Sequence, residues 1–305
     1  MGCPRHRTSR PDVPVAGPHG VVVVDKPAGW TSHDVVARIR RLAGTRKVGH
    51  AGTLDPMATG VLVVGLGRAT RLLGFLAAGD KDYRATIRLG EATVTDDAQG
   101  EVTAAVSARG VGEREVREAV RGFVGVIQQV PSAVSAVKVD GERSYRRVRA
   151  GQDVQLAARE VTVARFDVLG VDRPDPARLD VEVEVSCSTG TYVRALARDV
   201  GAVLGVGGHL TALRRTRVGG FGVDEAATLE ELEREFRAEA LGDAVARAFP
   251  RREVGAAEAD SVAHGRPIAR ASESGPTGVF GPDGEVLAIM APDGDELRPR
   301  VVLVG

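Results

Sequence analysis

The chain has 305 residues, 43% hydrophobic and 27% charged, with 41 Lys+Arg balancing 41 Asp+Glu. That composition excludes a wholly disordered chain and supplies enough apolar residues for a sizeable core. Apolar runs such as Val21–Val24 and Val61–Val64 fall far short of the roughly 20 residues a membrane helix needs. The N-terminus (Cys3, Pro4, Arg5, His6, Arg7) leads into Pro11, Pro14 and Pro18 with no apolar signal segment behind it, which predicts a loose basic tail over 1–19 of a cytoplasmic protein. Cys3 and Cys187 are the only cysteines, so neither a disulfide framework nor a Cys-rich zinc site is available.

The zero net charge is a sum over unequal regions. Residues 1–60 carry nine Lys/Arg against four acids, net +5, and four of the six histidines. Residues 221–260 carry eleven acids against five arginines, net −6. A second basic cluster holds Lys138, Arg143, Arg146, Arg147 and Arg149. A basic face can therefore coexist with an acidic one, as a polyanion-binding protein needs, although most charge runs are simply solvated surface.

In chain order, Val21–Val24 reads as a strand stopped by Pro27-Ala28-Gly29. Thr31 and Asp34 form a capping box, and Val35, Val36, Ile39 and Leu42 recur at helical spacing with Arg38, Arg40 and Arg41 on another side. Gly44 closes that helix, and residues 45–60 show neither period, so the sequence predicts one long ordered loop there. Val61–Leu66 reads as a buried strand and Ala69–Leu76 as a short helix. Tyr83, Ala85, Ile87 and Leu89 alternate with Arg84, Thr86 and Arg88 as a strand with one wet face. Alternation returns in Val134–Val139, Val161–Leu169 and Leu179–Cys187, and helices are predicted at Glu113–Phe123 and Tyr192–Leu204. An acidic helical stretch follows over 228–248, then short Gly/Pro-rich strands near 277–304. Strands that outnumber helices without alternating regularly with them predict an α+β fold with a largely antiparallel sheet. The C-terminal 50 or so residues form a small β-rich unit near the lower size limit for independent folding, expected to pack on the main body.

Candidate chemistry centres on Gly49-His50-Ala51-Gly52-Thr53-Leu54-Asp55-Pro56. Asp55 lies in a Gly-rich aperiodic segment just before a buried strand, where a rigid scaffold can aim a carboxylate as nucleophile or base. An aspartate before proline also starts turns for purely structural reasons. Two of the three tyrosines, Tyr83 and Tyr192, begin regular elements, and Arg194 follows Tyr192 by two residues. An aromatic face stacks on any nucleobase, and an arginine can pair with a carboxylate or grip a phosphate. Gly65-Leu66-Gly67-Arg68-Ala69-Thr70 lacks the third glycine of a dinucleotide fingerprint and the Gly-Lys-Ser/Thr ending of a P-loop. His33, His50, His209 and His264 show no metal-ligand spacing, so no metal is expected.

These blocks together resemble the TruB family of bacterial tRNA pseudouridine synthases. The resemblance rests on Gly20–Trp30 with Asp25-Lys26-Pro27, Gly49–Gly60 with Asp55, Asp80–Gly90, Val130–Lys138, Gly141–Gly151, Ser186–Arg194 and His209–Arg215, in the family's order. It implies the pseudouridine synthase fold, a catalytic domain over 20–250, and a PUA-like RNA-binding domain over 251–305. Uridine 55 in the T arm of tRNA is the implied substrate, with Asp55 as nucleophile. It further implies that Arg194 pairs with Asp55, that His50 and Tyr83 contact the flipped uridine, with Tyr83 stacking on it and acting with Asp55 and Arg194 in catalysis, and that Tyr192 and Leu213 complete the base pocket. No cofactor and no guide RNA are expected, and a monomer is implied. The aspartate could attack the sugar or add to the pyrimidine ring, and the sequence leaves both open. A binding-only protein would gain nothing from a carboxylate beside a polyanion, so Asp55 favours an enzyme. Thr53 and Trp30 depart from the residues more usual in the family.

Overall fold

The computed structural model describes residues 18–132 and 156–304, with the backbone of two short strands at 138–139 and 142–143. The basic cluster over 138–149, most of the Val134–Val139 alternation and residues 1–17 of the predicted tail lie outside the described residues. In chain order the strands are β1 (Gly20–Lys26), β2 (Val48–Ala51), β3 (Thr59–Leu66), β4 (Lys81–Leu89), β5 (Glu91–Thr93), β6 (Val102–Ala105), β7 (Gly125–Gln129), β8 (Lys138–Val139), β9 (Glu142–Arg143), β10 (Arg159–Asp175), β11 (Arg178–Cys187), β12 (Gly208–Val218), β13 (Phe221–Gly222), β14 (Glu239–Ala240), β15 (Arg251–Glu253), β16 (Ile268–Ala269), β17 (Thr277–Phe280), β18 (Val286–Asp293) and β19 (Glu296–Val302). The helices are α1 (Ser32–Leu42), α2 (Leu73–Ala78), α3 (Glu113–Arg121), α4 (Val193–Val203), α5 (Leu229–Arg234), α6 (Leu241–Ala248) and α7 (Ala256–Ala263).

A ten-stranded sheet runs β14-β1-β3-β12-β4-β11-β10-β7, with β13 added to β12 and β2 to β3. Its described pairings are antiparallel except β3 beside β12, so the predicted α+β class holds. The two kinds of apolar pattern correspond to two environments. β1 and β3 are buried on both faces: Val21, Val23, Val61 and Val63 join one apolar cluster, while Val22, Val24, Leu62 and Val64 join another under α1. Continuous β-branched runs suit such a doubly covered strand. β4 and β11 alternate because only one face is covered. Tyr83, Ala85, Ile87, Val181, Val183 and Val185 enter the largest cluster, under α3 and α4. On the wet face Arg88 meets Asp180 at 2.6 Å and Arg84 meets Glu184 at 3.5 Å, each pair directly opposite in register.

Several sequence expectations shift in detail. The loop predicted over 45–60 is shorter, because Val48–Ala51 pairs with β3 as β2. Only Val48 and Ala51 of its four residues are buried, so no alternation was there to read. The helix predicted at Ala69–Leu76 is a 3-10 turn (Gly67–Leu72) that runs into α2. The amides of Gly67 and Arg68 are taken by Lys47 O and His19 Nδ1, which leaves that glycine pair serving the fold. The acidic stretch over 228–248 is two helices interrupted by β14, which caps the edge of β1. α1 has its capping box, with Thr31 and Asp34 each bonded to the other's backbone amide. Its basic side is partly spent internally, since Arg38 pairs with Glu233 of α5 and Arg40 donates to Val48 O at 3.0 Å.

A second sheet, β15-β17-β18-β19-β16, holds the C-terminal strands. Phe280, Val286, Ile289 and Leu303 share a cluster with Val21, Val63, Leu72 and Val218, so this sheet is docked on the main body through apolar contact. α4 is set against the start of β12 through Gly201. A Cβ there would stand 2.2 Å from the carbonyl carbon of Gly207, so only glycine permits this approach. Gly201→Ala is expected to destabilise the protein by about 1–3 kcal/mol, as overpacking of a close contact does. Urea unfolding would read it, and an unchanged midpoint would show that the helix can retreat without cost.

Candidate active site

The aspartate picked out from the sequence sits in a seven-residue connection, 52–58, between β2 and β3. It does begin a turn, with Ala58 N bonded to Asp55 O at 3.1 Å, so the structural and chemical readings coexist. Three buried side chains hold this loop by its backbone. Lys26, fully buried at the end of β1, donates from Nζ to Pro27 O (3.0 Å), Trp30 O (2.7 Å) and Pro56 O (3.3 Å). Arg215 of β12, 1% exposed, donates to Val61 O (2.8 Å), Gly52 O (3.0 Å) and Thr53 O (3.5 Å). Ser32 Oγ, in the first turn of α1, accepts from Leu54 N (2.9 Å) and donates to Leu54 O (3.2 Å). Buried charged donors satisfying carbonyls that no ladder reaches are strong bonds in a low-dielectric setting. At the loop's exit Gly60 has φ +95°, and a Cβ there would sit 2.1 Å from Arg215 O. The loop is thereby clamped directly to β12.

The rigid loop presents Asp55 beside a buried guanidinium. Arg194, in the first turn of α4 and 5% exposed, donates from Nε to Asp55 Oδ2 at 2.9 Å and from Nη1 to Thr95 O at 2.7 Å. The Asp55 side chain is 39% exposed, so the pair is buried at one end and open at the other. Asp97 Oδ2 lies 3.6 Å from the same Nε, and Asp97 is itself held by Thr95 Oγ1 (2.6 Å) and Gln99 N (3.0 Å). Asp97 escaped the sequence reading. Its only local signal is a Thr-Asp-Asp-Ala-Gln-Gly turn pattern, and its partner is remote in the chain.

A cavity of about 290 Å³ opens in front of the pair, lined by Asp55, Tyr83, Tyr192, Arg194, Leu213 and Lys81 among others. Five of the six residues singled out beforehand therefore meet in one place, though they come from a loop, two strands and the start of a helix. Tyr83 projects from β4 opposite Arg215 in register. Burial pushes its phenol pKa up, against the pull of the Arg215 guanidinium, and keeps the ring neutral. Tyr192 is the N-cap residue of α4, and its backbone is gripped at both ends by the buried Gln129, whose Oε1 accepts from Tyr192 N (2.8 Å) and whose Nε2 donates to Tyr192 O (3.1 Å). Gln129 was also invisible beforehand. Leu213 stands opposite Ala85 on the covered face of the sheet.

His50 is the exception. It lies on β2, half-buried and outside the cavity wall, with its ring edge-on to that of His33 at 5.7 Å. Burial, and then the charges of His33 and Arg215, lower its pKa, so the imidazole is neutral near pH 7. Among the described residues no group of His, Cys, Asp and Glu could hold a metal ion. Cys187 belongs to the core, where burial pushes its thiol up to about 11. Among the described residues no helix is long and apolar enough to cross a membrane.

Comparison with known proteins gives matches along most of the chain. Residues 40–193 match the family described as TruB family pseudouridylate synthase (N terminal domain). Residues 194–248 match the tRNA pseudouridylate synthase B C-terminal domain, and 249–304 match tRNA Pseudouridine synthase II, C terminal. A protein of Thermobifida fusca named tRNA pseudouridine synthase B is 61% identical over 94% of this chain and 99% of its own length. One of Arthrobacter sp. with the same name is 56% identical over 93% and 96%. Among solved structures, a Cbf5-Nop10-Gar1 complex aligns with TM-score 0.72 at 28% identity, covering 94% of this chain and 85% of that one. An H/ACA RNP bound to a substrate RNA containing 2'-deoxyuridine aligns at 0.70 and 26%, covering 94% and 86%.

The two buried lysines of the site give it a pH dependence. Burial lowers Lys26 and Lys81 to about 8, and Lys81 Nζ donates to Ala77 O (2.8 Å) and Gly79 O (2.7 Å) at the cavity rim. The folded-state values lie below 10.5, so between pH 8 and 10.5 the folded chain holds fewer protons than the unfolded one. The lysines' contribution to stability therefore rises with pH across that window. A neutral amine, however, has two N–H donors for the three carbonyls around Lys26. The pH–rate profile is expected to fall with an apparent pKa near 8 and no parallel loss of melting temperature. A profile flat to the ordinary lysine range, about pH 10, would show that the loop needs neither proton.

Proposed function

The chain belongs to the TruB family of pseudouridylate synthases, and from that premise we propose that it converts uridine 55 in the T arm of tRNA to pseudouridine, with Asp55 as nucleophile. The observation that carries the reading is the Asp55–Arg194 pair, buried at the arginine and open at the carboxylate, at the mouth of a cavity flanked by Tyr83. A uridine stacked in a folded loop is out of reach of any side chain, so it must be extruded, and its lost stacking must be replaced. Tyr83 supplies a neutral aromatic face, and Tyr192 and Leu213 bound the remaining space. The cavity, about 290 Å³, is at the small end of ligand pockets, as suits one base and part of its ribose.

The reaction breaks the C–N glycosidic bond and joins C5 of the same base to the same sugar carbon. Asp55 serves either by attacking C1′, through an oxocarbenium-like path, or by adding to the pyrimidine ring. Both routes ask the same of the protein: a carboxylate fixed in direction, a partner that balances its charge, and a pocket that keeps the detached base from leaving. Arg194 meets the first two needs, and Asp97 and Thr95 O fix Arg194. His50, outside the cavity wall, contacts the RNA around the flipped nucleotide rather than closing over it.

The reading extends beyond the site: residues 20–250 form the catalytic domain and 251–305 a PUA-like domain that adds RNA contacts. The enzyme works in the cytoplasm as a monomer and finds its target through the shape of the T arm. The H/ACA neighbours are named for complexes with further proteins or an RNP. The relatives that match nearly end to end are named as tRNA pseudouridine synthases, which favours action without a guide RNA.

The decisive experiment is pseudouridine formation at position 55 of an unmodified tRNA transcript, read by carbodiimide adduct and primer extension. Wild type should give the stop and Asp55→Asn none, with RNA affinity equal or stronger because a negative charge near phosphate is gone. Full turnover in the variant would remove Asp55 from the mechanism. Asp97→Asn is expected to lower single-turnover rate about tenfold, or roughly 1.4 kcal/mol of barrier, with little change in RNA affinity. A loss confined to melting temperature would make Asp97 a purely structural partner.

A further inference from the structure

The chain contains a single tryptophan, and it is on the surface: Trp30 is 37% exposed and belongs to none of the four apolar clusters. Its backbone is fixed on both sides. Gly29, at φ +82°, turns the chain after β1 and donates to Pro56 O at 2.8 Å. Lys26 Nζ holds Trp30 O and Pro56 O together, and the next residue, Thr31, is the capping-box residue of α1. Trp30 is thus carried on the same buried ammonium that anchors the peptide following Asp55. His33, exposed in the first turn of α1, continues this edge toward His50.

Position 30 precedes the N-cap, where an apolar side chain often staples onto the fourth helical residue, here the buried Val35. A leucine would serve that purpose, and the indole goes beyond it by presenting a large rigid face to solvent. Flipping a nucleotide out of a loop also leaves its neighbours without stacking partners. We propose that Trp30 is a second stacking platform, outside the catalytic cavity, for an unpaired base of the RNA next to the target uridine. The inference rests on the RNA substrate proposed above and adds a contact to it. Stacking on an aromatic side chain is worth about 1–3 kcal/mol per base.

Because the protein has one tryptophan, fluorescence excited at the red edge, where its three tyrosines do not absorb, reports this residue alone. A T-arm stem-loop RNA titrated into Asp55→Asn protein, which holds the RNA without turning it over, should quench that fluorescence with the same Kd that filter binding gives. Trp30→Leu, which keeps an apolar side chain before the N-cap, should retain the wild-type melting temperature and weaken RNA binding about 5- to 150-fold, the range that stacking energy implies. Trp30→Phe should recover part of the affinity. In turnover assays of these variants with native Asp55 the loss should fall on KM more than on kcat. Silent fluorescence at saturating RNA, or wild-type affinity in Trp30→Leu, overturns the platform while leaving the enzyme assignment intact. Failure of the wild type to bind the RNA overturns the substrate reading, and the platform with it.

Discussion

The site depends on two buried cations that bind backbone carbonyls in place of carboxylates. Lys26 and Arg215 reach the peptides on either side of Asp55 from β1 and β12, strands remote from the loop along the chain. Removing a long cation from water is costly unless its N–H groups are matched, and here three carbonyls surround each one. A loop entered at Gly52 and left through Gly60, both at positive φ, has little intrinsic preference for one shape, and these bonds select one. The parallel contact of β3 with β12, where Thr59 and Gly60 face Arg214 and Arg215, brings the second cation to the loop.

Charge at the reacting end follows a different rule. Arg194 stands between an exposed carboxylate and a buried one, Asp55 and Asp97. The buried partner holds the guanidinium in place while the exposed partner remains accessible to a ligand. Burial keeps Tyr83 neutral in the cavity and His50 neutral on β2, so neither adds charge to a region already crowded with cations. Elsewhere acids and bases largely cancel: the wet face of β4 and β11 is laced with cross-strand pairs, and Arg247 binds both Glu225 and Glu239. Much of the regional charge asymmetry in the sequence is therefore spent inside the fold, as Arg38 with Glu233 shows.

Burial on one or both sides of a strand is the quantity that the apolar pattern encodes. β1 and β3, covered by α1 on one face and by the α6 and C-terminal layer on the other, read as unbroken runs, whereas β4 and β11 alternate. The same physics explains the misreadings. β2 has four residues, two of them glycine and histidine, and exists because β3 offers it a ladder. The 3-10 turn ahead of α2 satisfies the same apolar positions as an α-helical turn would, so side-chain spacing alone does not separate them.

The sequence by itself determined the fold class, the strands and helices with strong periods, the capping box at Thr31 and the identity of Asp55, Tyr83, Tyr192, Arg194 and Leu213 as residues of interest. Those are local facts: a period, a cap, a turn before a strand, a family motif. Only the tertiary structure decided that these five share one cavity and that His50 stands outside it, because the distance between residues 55 and 194 is set by sheet order and not by spacing in the chain. It also disclosed Asp97, Gln129, Lys26 and Arg215 as the groups that hold the site. A buried polar side chain leaves little local signature, since what it does is fixed by whichever distant carbonyl or guanidinium the fold brings within about 3 Å of it.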